Sequence, residues 1–145
     1  MGLISELDAN IGRLIKFLEN EGKIDDTIIV LTSDHGDYLG DHWLGEKELF
    51  YESAIRIPMI IADPGHEASP TRGTSIDEFV ESIDLIPTFL EMAGSPNKHD
   101  HILEGRSLLP LLQSNLEHSW RDATFCEMDY CCLLYTSDAA DEGGS

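Results

Sequence analysis

An aspartate, a histidine and a glycine follow one another at Asp34, His35 and Gly36, directly after a run of apolar residues. A carboxylate and an imidazole together suit Mn²⁺ or Zn²⁺ better than Ca²⁺. Neighbouring residues of an extended strand point in opposite directions, so both side chains reach one cation only if the backbone turns at once, which Gly36 permits. Taken alone, these residues favour a metal site and an ordinary polar turn about equally, because short motifs also occur by chance.

Two further residues of the following loop could act on an ester. Lys47 lies 13 residues after Asp34. A loop that folds back would bring its ammonium to ester oxygens, where it would neutralise charge in the transition state. His42 could give a proton to a leaving group. Each also has a purely structural interpretation, since lysines are usually exposed and a loop histidine needs no function. Asp37 and Asp41 are expected to shape the loop.

The elements that would carry these residues follow an α/β pattern. Apolar residues recur at steps of three and four from Leu3 to Leu18, which predicts an amphipathic helix ending near Gly22. Residues 27–31 form a continuous β-branched run, which predicts a strand buried on both faces, as in a parallel sheet. A second apolar run, 57–61, predicts another strand with its proline at the start. Ligands of layered α/β folds bind at the carboxyl edge of the sheet, where the loop after residue 31 would lie.

The second half of the chain carries shorter signals. Residues 79–80 are assigned to a short strand. Asp84 is expected to cap a helix that ends at Gly94. Residues 107–113 predict a short helix, and residues 123–127 predict a last strand.

Composition limits the partners more than the fold. The formal net charge of the chain is −19, which would repel nucleic acid and anionic lipid at long range. No apolar run reaches the roughly 18 residues of a membrane span. We therefore expect neither a nucleic-acid partner nor a membrane partner. Cys126, Cys131 and Cys132 have the spacing neither of a disulfide framework nor of a zinc site.

Together these motifs resemble the sulfatase branch of the alkaline phosphatase superfamily, and within it the group of phosphonate monoester hydrolases and related sulfatases. The resemblance runs in family order over roughly residues 2–130. Supporting segments occur at residues 82–88, 105–112 and 120–123. The strongest part is Thr32-Ser33-Asp34-His35-Gly36-Asp37-Tyr38-Leu39-Gly40-Asp41-His42, then Lys47, then Arg56-Ile57-Pro58-Met59-Ile60-Ile61.

The resemblance implies a fold, a cofactor and roles for three residues. The fold would be an incomplete, alkaline-phosphatase-like layered α/β structure, with a mixed sheet and flanking helices. Asp34 and His35 would be ligands of one divalent metal ion, which could be Ca²⁺, Mn²⁺ or Zn²⁺. Lys47 would contact the sulfate, phosphate or phosphonate group of a small anionic ester substrate.

The family's nucleophile is a formylglycine made from Cys or Ser in a C/S-x-P/A-x-R signature, which this chain lacks. Ser69-Pro70-Thr71-Arg72 carries its proline and arginine one position too early. We therefore expect residues 1–131 to be the C-terminal portion of a catalytic domain, inactive alone, with the formylglycine and the acidic metal ligands upstream. Residues 132–145 are expected to be an artefactual, disordered tail, since residues 132–142 resemble sequencing-adapter read-through.

Three functional hypotheses follow. The leading one is metal-dependent hydrolysis of sulfate esters by the complete enzyme. The second is hydrolysis of phosphonate monoesters or phosphodiesters, because the same metal, lysine and nucleophile serve both kinds of ester. The third is a non-catalytic fragment or assembly module. A homo-oligomer of the full-length enzyme is compatible with the family, as are both a cytoplasmic and an exported location.

Overall fold

A computed structural model describes residues 2–47, 49–95, 102–115 and 119–127 of the chain. Helix α1 spans Gly2–Asn20, and Gly22 follows it with a φ of 62°. Glycine adopts this left-handed conformation without steric cost, so it ends the helix as the sequence predicts. No residue of α1 is buried: Ile11, Ile15 and Leu18 are half-buried, and the other apolar side chains of the helix are exposed.

Two short strands form the sheet. Strand β1 covers Ile29–Thr32 and strand β2 covers Met59–Ala62, close to the two predicted runs. They pair antiparallel, with Ile29 opposite Ala62 and Thr32 opposite Met59. The expectation of a parallel strand buried on both faces is therefore wrong for β1. A continuous apolar run is compatible with either pairing direction, and the face that carries Leu31 and Ile60 is exposed.

The regular structure between and after the strands consists of short helices joined by turns and irregular segments. Helix α2 spans Glu52–Ile55, α3 spans Leu85–Met92 and α4 spans Leu109–Leu112, the last within the predicted helix at 107–113. Short 3₁₀ turns lie at His66–Thr71 and Ser82–Asp84. Gly94, with a φ of 64°, follows the end of α3 as predicted.

The strands predicted at residues 79–80 and 123–127 are wrong, because neither segment is a strand. In each segment a side chain bonds one backbone group. The Trp120 indole donates to the Phe79 carbonyl at 2.7 Å, and the Phe125 amide donates to Glu81 Oε1 at 3.2 Å. A residue pattern alone does not distinguish these side-chain partners from a neighbouring strand.

The prediction that the Asp84 side chain caps a helix is also wrong. Asp84 does immediately precede α3, but its side chain makes no cap hydrogen bond to that helix. The carboxylate turns back and accepts from the Glu81 amide at 2.8 Å and the Arg106 amide at 2.8 Å. The Arg121 guanidinium, at 2.6 Å, then supplies a cationic partner that favours this orientation over a cap.

The buried residues lie mainly where α3, α4 and the turn at His66–Thr71 meet, and they include Ala68, Leu108 and Leu111. Within the described ranges, no helix combines the length and the apolarity required to cross a bilayer. Cys126 is a free, exposed thiol. The proposed tail at 132–145, together with Cys131 and Cys132, lies outside the described residues.

Candidate active site

The candidate site begins where β1 ends. After Thr32 the chain bends at Asp34, whose side chain is 84% exposed. The backbone amide of His35 donates to Asp34 Oδ1 at 3.0 Å, and this bond lowers the pKa of the Asp34 carboxyl below its usual range. The site therefore offers an ionised carboxylate on a largely exposed side chain.

The tautomer of His35 follows from its neighbours. Its Nδ1 lies 2.7 Å from the Gly36 carbonyl oxygen, which can only accept a hydrogen bond, so Nδ1 carries the proton. Its Nε2 lies 2.5 Å from Lys47 Nζ, and an ammonium can only donate. Both contacts are consistent with a proton on Nδ1, which leaves on Nε2 the lone pair that a metal ion would use.

Lys47 therefore folds back onto the end of β1. His35 Nε2 lies between Lys47 Nζ at 2.5 Å and Asp34 Oδ2 at 3.4 Å. The fold brings together three of the four candidate residues that the sequence indicates. A carboxylate, an imidazole and an ammonium that share one small region can bind a cation and an anion side by side.

Gly36 is required for a reason that differs from the expected turn. Its amide donates to the Ala54 carbonyl at 2.7 Å, so the segment at the end of α2 passes directly beside it. A Cβ at position 36 would lie 1.9 Å from the Ser53 carbonyl oxygen. The glycine is therefore needed because another backbone approaches closely, and this contact holds the Asp34–His35 segment in place.

The loop between Gly36 and Lys47 is a small hairpin. The Tyr38 amide donates to the Glu46 carbonyl at 2.9 Å, and the Gly40 amide donates to the Leu44 carbonyl at 3.0 Å. Four residues other than glycine adopt positive φ angles between 49° and 62° in this hairpin, which are Leu39, His42, Trp43 and Glu46. Such strained conformations concentrate at functional sites, where the surrounding structure holds them.

His42 lies elsewhere in this loop. Its ring stacks on that of Tyr51, with centroids 3.9 Å apart and an interplanar angle of 18°. In the described part of the chain, it has no hydrogen bond or ion pair with Asp34, His35 or Lys47. The structure thus places the proposed proton donor in an aromatic stack with Tyr51.

Sequence reasoning missed Tyr38, which is 2% exposed. Its hydroxyl donates to the Leu49 carbonyl at 2.6 Å and accepts from the Leu49 amide at 2.8 Å. The only sequence signal was one of two aromatic residues in the loop, the other being Trp43. That signal does not reveal a bond to a residue 11 positions away.

The donor set fits one side of a metal site. Asp34 supplies a carboxylate and His35 supplies Nε2, which suit a divalent cation. A hard cation such as Ca²⁺ takes about six or more ligands. Among the residues that the structure describes, no group of three or more His, Cys, Asp or Glu side chains could hold a metal ion. The remaining ligands of such a site would therefore have to come from beyond these residues.

A cavity of about 810 Å³ lies apart from these three residues. It is lined by β2, by the turn at His66–Thr71 and by parts of α4, and its walls are mostly apolar. Neither Asp34, His35 nor Lys47 lines it. Cavity size is therefore a poor guide to the chemistry in this chain, and the polar cluster at the end of β1 is the better candidate.

The described residues form a mixed arrangement of helices and two strands, with a polar cluster where β1 ends. The family model described as Sulfatase matches residues 1–95. The chain belongs to the sulfatase family, so the resemblance seen in its motifs is confirmed.

Individual relatives agree with this assignment. The chain is 40% identical over 134 residues to the multifunctional alkaline phosphatase superfamily protein PehA of Trinickia caryophylli, covering 92% of this chain and 25% of that protein. It is 37% identical over 123 residues to an arylsulfatase of Clostridium perfringens, covering 83% and 24%. The chain spans about a quarter of the length of these curated relatives.

Solved structures give the same result for the fold. The chain matches the crystal structure of the phosphonate monoester hydrolase of Agrobacterium radiobacter with a TM-score of 0.76 and 37% identity. The match covers 85% of this chain and 24% of that structure. The predicted fold class is thereby confirmed, as part of a larger alkaline-phosphatase-like fold.

Proposed function

We propose that the complete protein containing this chain hydrolyses small anionic esters, in the first place sulfate esters. The observation that carries the proposal is the convergence of Asp34, His35 and Lys47 where β1 ends. Membership in the sulfatase family and the similarity to an arylsulfatase support sulfate as the first choice.

Each of the three side chains has a defined task in this proposal. Asp34 and His35 would hold one divalent cation, Ca²⁺, Mn²⁺ or Zn²⁺, together with ligands from other parts of the polypeptide. When bound, the cation supplies positive charge to the ester oxygens. Lys47 would hold the anionic group through its ammonium and stabilise charge that develops in the transition state. The nucleophile would be a formylglycine in a part of the complete protein that precedes this chain.

A second candidate is hydrolysis of phosphonate monoesters or phosphodiesters. The structural match to a phosphonate monoester hydrolase and the 40% identity to a protein named as multifunctional favour it. Sulfate and phosphonate esters both present anionic oxygens to a cation and an ammonium, so the three side chains do not separate them. A direct comparison of substrates is therefore required.

The test uses the complete polypeptide that contains this chain, purified with divalent metal. Hydrolysis of p-nitrophenyl sulfate is compared with hydrolysis of p-nitrophenyl phenylphosphonate, since the two esters share a leaving group. Lys47→Ala should lower kcat/KM by about 10²–10³-fold, the usual cost of one preorganised charge-stabilising donor. Lys23→Ala is the matched control, because Lys23 is also exposed but has no contact with the cluster. Its kcat/KM should equal that of the unmodified protein.

Metal binding is measured separately by calorimetry. Asp34→Asn should weaken the binding of Mn²⁺, whereas Asp26→Asn, which changes another carboxylate outside the cluster, should not. Hydrolysis of neither ester by the metal-loaded protein would overturn the proposal and leave a non-catalytic assembly module as the better hypothesis. The larger kcat/KM of the two would decide between sulfate and phosphonate esters.

A further inference from the structure

Tyr38 contacts the chain on both sides of Lys47. Its amide donates to the carbonyl of Glu46 at 2.9 Å. Its hydroxyl donates to the Leu49 carbonyl at 2.6 Å and accepts from the Leu49 amide at 2.8 Å. One residue therefore fixes the backbone immediately before Lys47 and two positions after it.

The phenol ring is itself firmly held. Tyr38 is among the largest fully buried side chains described, and its ring packs edge-to-face on Tyr51 with centroids 5.9 Å apart. Its hydroxyl both donates and accepts, and a phenol in this geometry sets the position of Leu49 in two directions. We call the two hydrogen bonds between the Tyr38 hydroxyl and Leu49 the clamp. The clamp is held by a buried ring, whereas Lys47 is exposed and has a flexible stem.

The Asp34–His35 segment is held by a different contact. The Gly36 amide donates to the Ala54 carbonyl at 2.7 Å, and the Ser53 carbonyl lies directly beside Gly36. Neither contact uses the Tyr38 hydroxyl. Loss of that hydroxyl should therefore release the lysine side of the cluster and leave the carboxylate–imidazole side in place.

The geometry points to Tyr38 as a positioning residue, whose hydroxyl fixes the backbone that presents the Lys47 ammonium to the substrate anion. This inference rests on the proposed function, since it assigns a partner to the residue that would bind the ester anion. Tyr38 does not touch the substrate in this role. It acts through Lys47.

The test compares Tyr38→Phe with Tyr51→Phe in the complete, metal-loaded protein. Tyr51→Phe is the matched control because it also removes a phenol hydroxyl from this ring pair, and that hydroxyl has no hydrogen bond to any described residue. Tyr38→Phe should lower kcat/KM by about tenfold, the scale expected when one or two hydrogen bonds are lost. Its Mn²⁺ affinity should stay within about twofold of the unmodified protein, and Tyr51→Phe should change neither quantity.

A double-mutant cycle separates positioning from general loosening of the fold. If Tyr38 acts only through Lys47, adding Tyr38→Phe to Lys47→Ala should cause no further loss of kcat/KM. Losses that multiply in the double variant, or an equal loss of Mn²⁺ affinity in Tyr38→Phe, would overturn the inference.

Hydrogen exchange gives a readout that does not depend on hydrolysis. The Leu49 amide loses its acceptor in Tyr38→Phe, so its exchange should accelerate by about tenfold or more while that of Gly36 does not change. Unchanged exchange at Leu49 overturns the clamp even if the protein is an active hydrolase. Accelerated exchange at Leu49 in a protein that hydrolyses neither ester would show that the clamp exists but that the proposed function is wrong. The role of Tyr38 in positioning Lys47 for the substrate would then be wrong as well.

Discussion

Two carboxylates in this chain share one backbone feature but differ in burial and in hydrogen bonding. Asp34 and Asp84 each lie close to a glycine that another backbone segment approaches closely, Gly36 in one case and Gly105 in the other. A Cβ at Gly36 would lie 1.9 Å from a carbonyl oxygen, and a Cβ at Gly105 would lie 2.1 Å from the Ile83 carbonyl oxygen. The chain packs tightly at both places.

The two carboxylates differ in how their oxygens are used. The Asp84 side chain is completely buried, and it accepts hydrogen bonds from the Glu81 amide, the Arg106 amide and the Arg121 guanidinium. The Asp34 side chain is mostly exposed, and the nearest donor to it is the amide of the next residue at 3.0 Å. Asp84 therefore has little capacity left for a ligand, whereas Asp34 has an oxygen available.

This difference separates a structural carboxylate from a candidate ligand-binding one. A buried carboxylate is tolerated only when protein groups satisfy it, and those groups then exclude a metal ion. An exposed carboxylate held by its local backbone stays ionised and can bind a cation. Exposure and unused acceptor capacity, more than proximity to a cationic side chain, mark Asp34 as part of the site.

The largest effect on stability is expected from the buried ion pair between Arg121 and Asp84. Arg121→Met removes the cation from Asp84 and leaves a buried carboxylate without its charged partner. We expect the free energy of unfolding to fall by about 3–5 kcal/mol, because the remaining carboxylate stays buried without an opposite charge beside it. Urea unfolding of the protein measures this change.

Arg106→Met is the control for that experiment. Only the backbone amide of Arg106 contacts Asp84, and its side chain is exposed, so its loss should cost less than about 0.5 kcal/mol. Similar losses for the two variants would show that the Asp84 centre does not depend on charge pairing. The comparison with Asp34 would then lose its basis.

A smaller effect on stability is expected from Thr88, whose hydroxyl links Asp84 to the residue that precedes α4. Its hydroxyl donates to the Asp84 carbonyl at 2.6 Å and accepts from the Leu108 amide at 2.8 Å. Thr88→Val keeps the shape but leaves the Leu108 amide without its acceptor, which should cost about 1–3 kcal/mol. Urea unfolding again gives the value.

Thr74→Val tests whether burial is the cause. The Thr74 hydroxyl also donates to a backbone carbonyl, that of Thr71 at 2.7 Å, but Thr74 is exposed and water can replace the bond. Its substitution should change the free energy of unfolding by no more than about 0.5 kcal/mol. Equal costs at positions 74 and 88 would contradict the role assigned to burial.

The parts of the fold that the sequence predicts correctly depend on local patterns. Helix α1 has a clear period of three and four, and β1 and β2 coincide with continuous apolar runs. The convergence of Asp34, His35 and Lys47 lies within one short segment, where a loop that returns on itself is the simplest geometry. Such features are determined largely by neighbouring residues.

The features that the sequence does not predict depend on distant partners. Arg121 binds Asp84 across 37 positions, and Trp120 binds the Phe79 carbonyl across 41. These contacts explain why Asp84 does not cap α3 and why residues 79–80 form no strand. A pattern of residue types contains no information on which side chain arrives from so far along the chain, so tertiary contacts override local propensity.

The smallest effect is expected from the exposed arginine–carboxylate pair of Arg56 and Glu52, which resembles the buried Arg121–Asp84 pair in chemistry alone. Arg56 Nη1 lies 3.4 Å from Glu52 Oε2, one helical turn away, and the two side chains are 82% and 76% exposed. Arg56→Ala should change the free energy of unfolding by no more than about 0.5 kcal/mol, since water and salt screen the pair. Urea unfolding at low and high salt measures it, and the small difference should disappear at high salt. A loss near that of Arg121→Met would mean that an arginine stabilises this chain whether or not its carboxylate is buried, and burial would then not be what distinguishes Asp84 from Asp34.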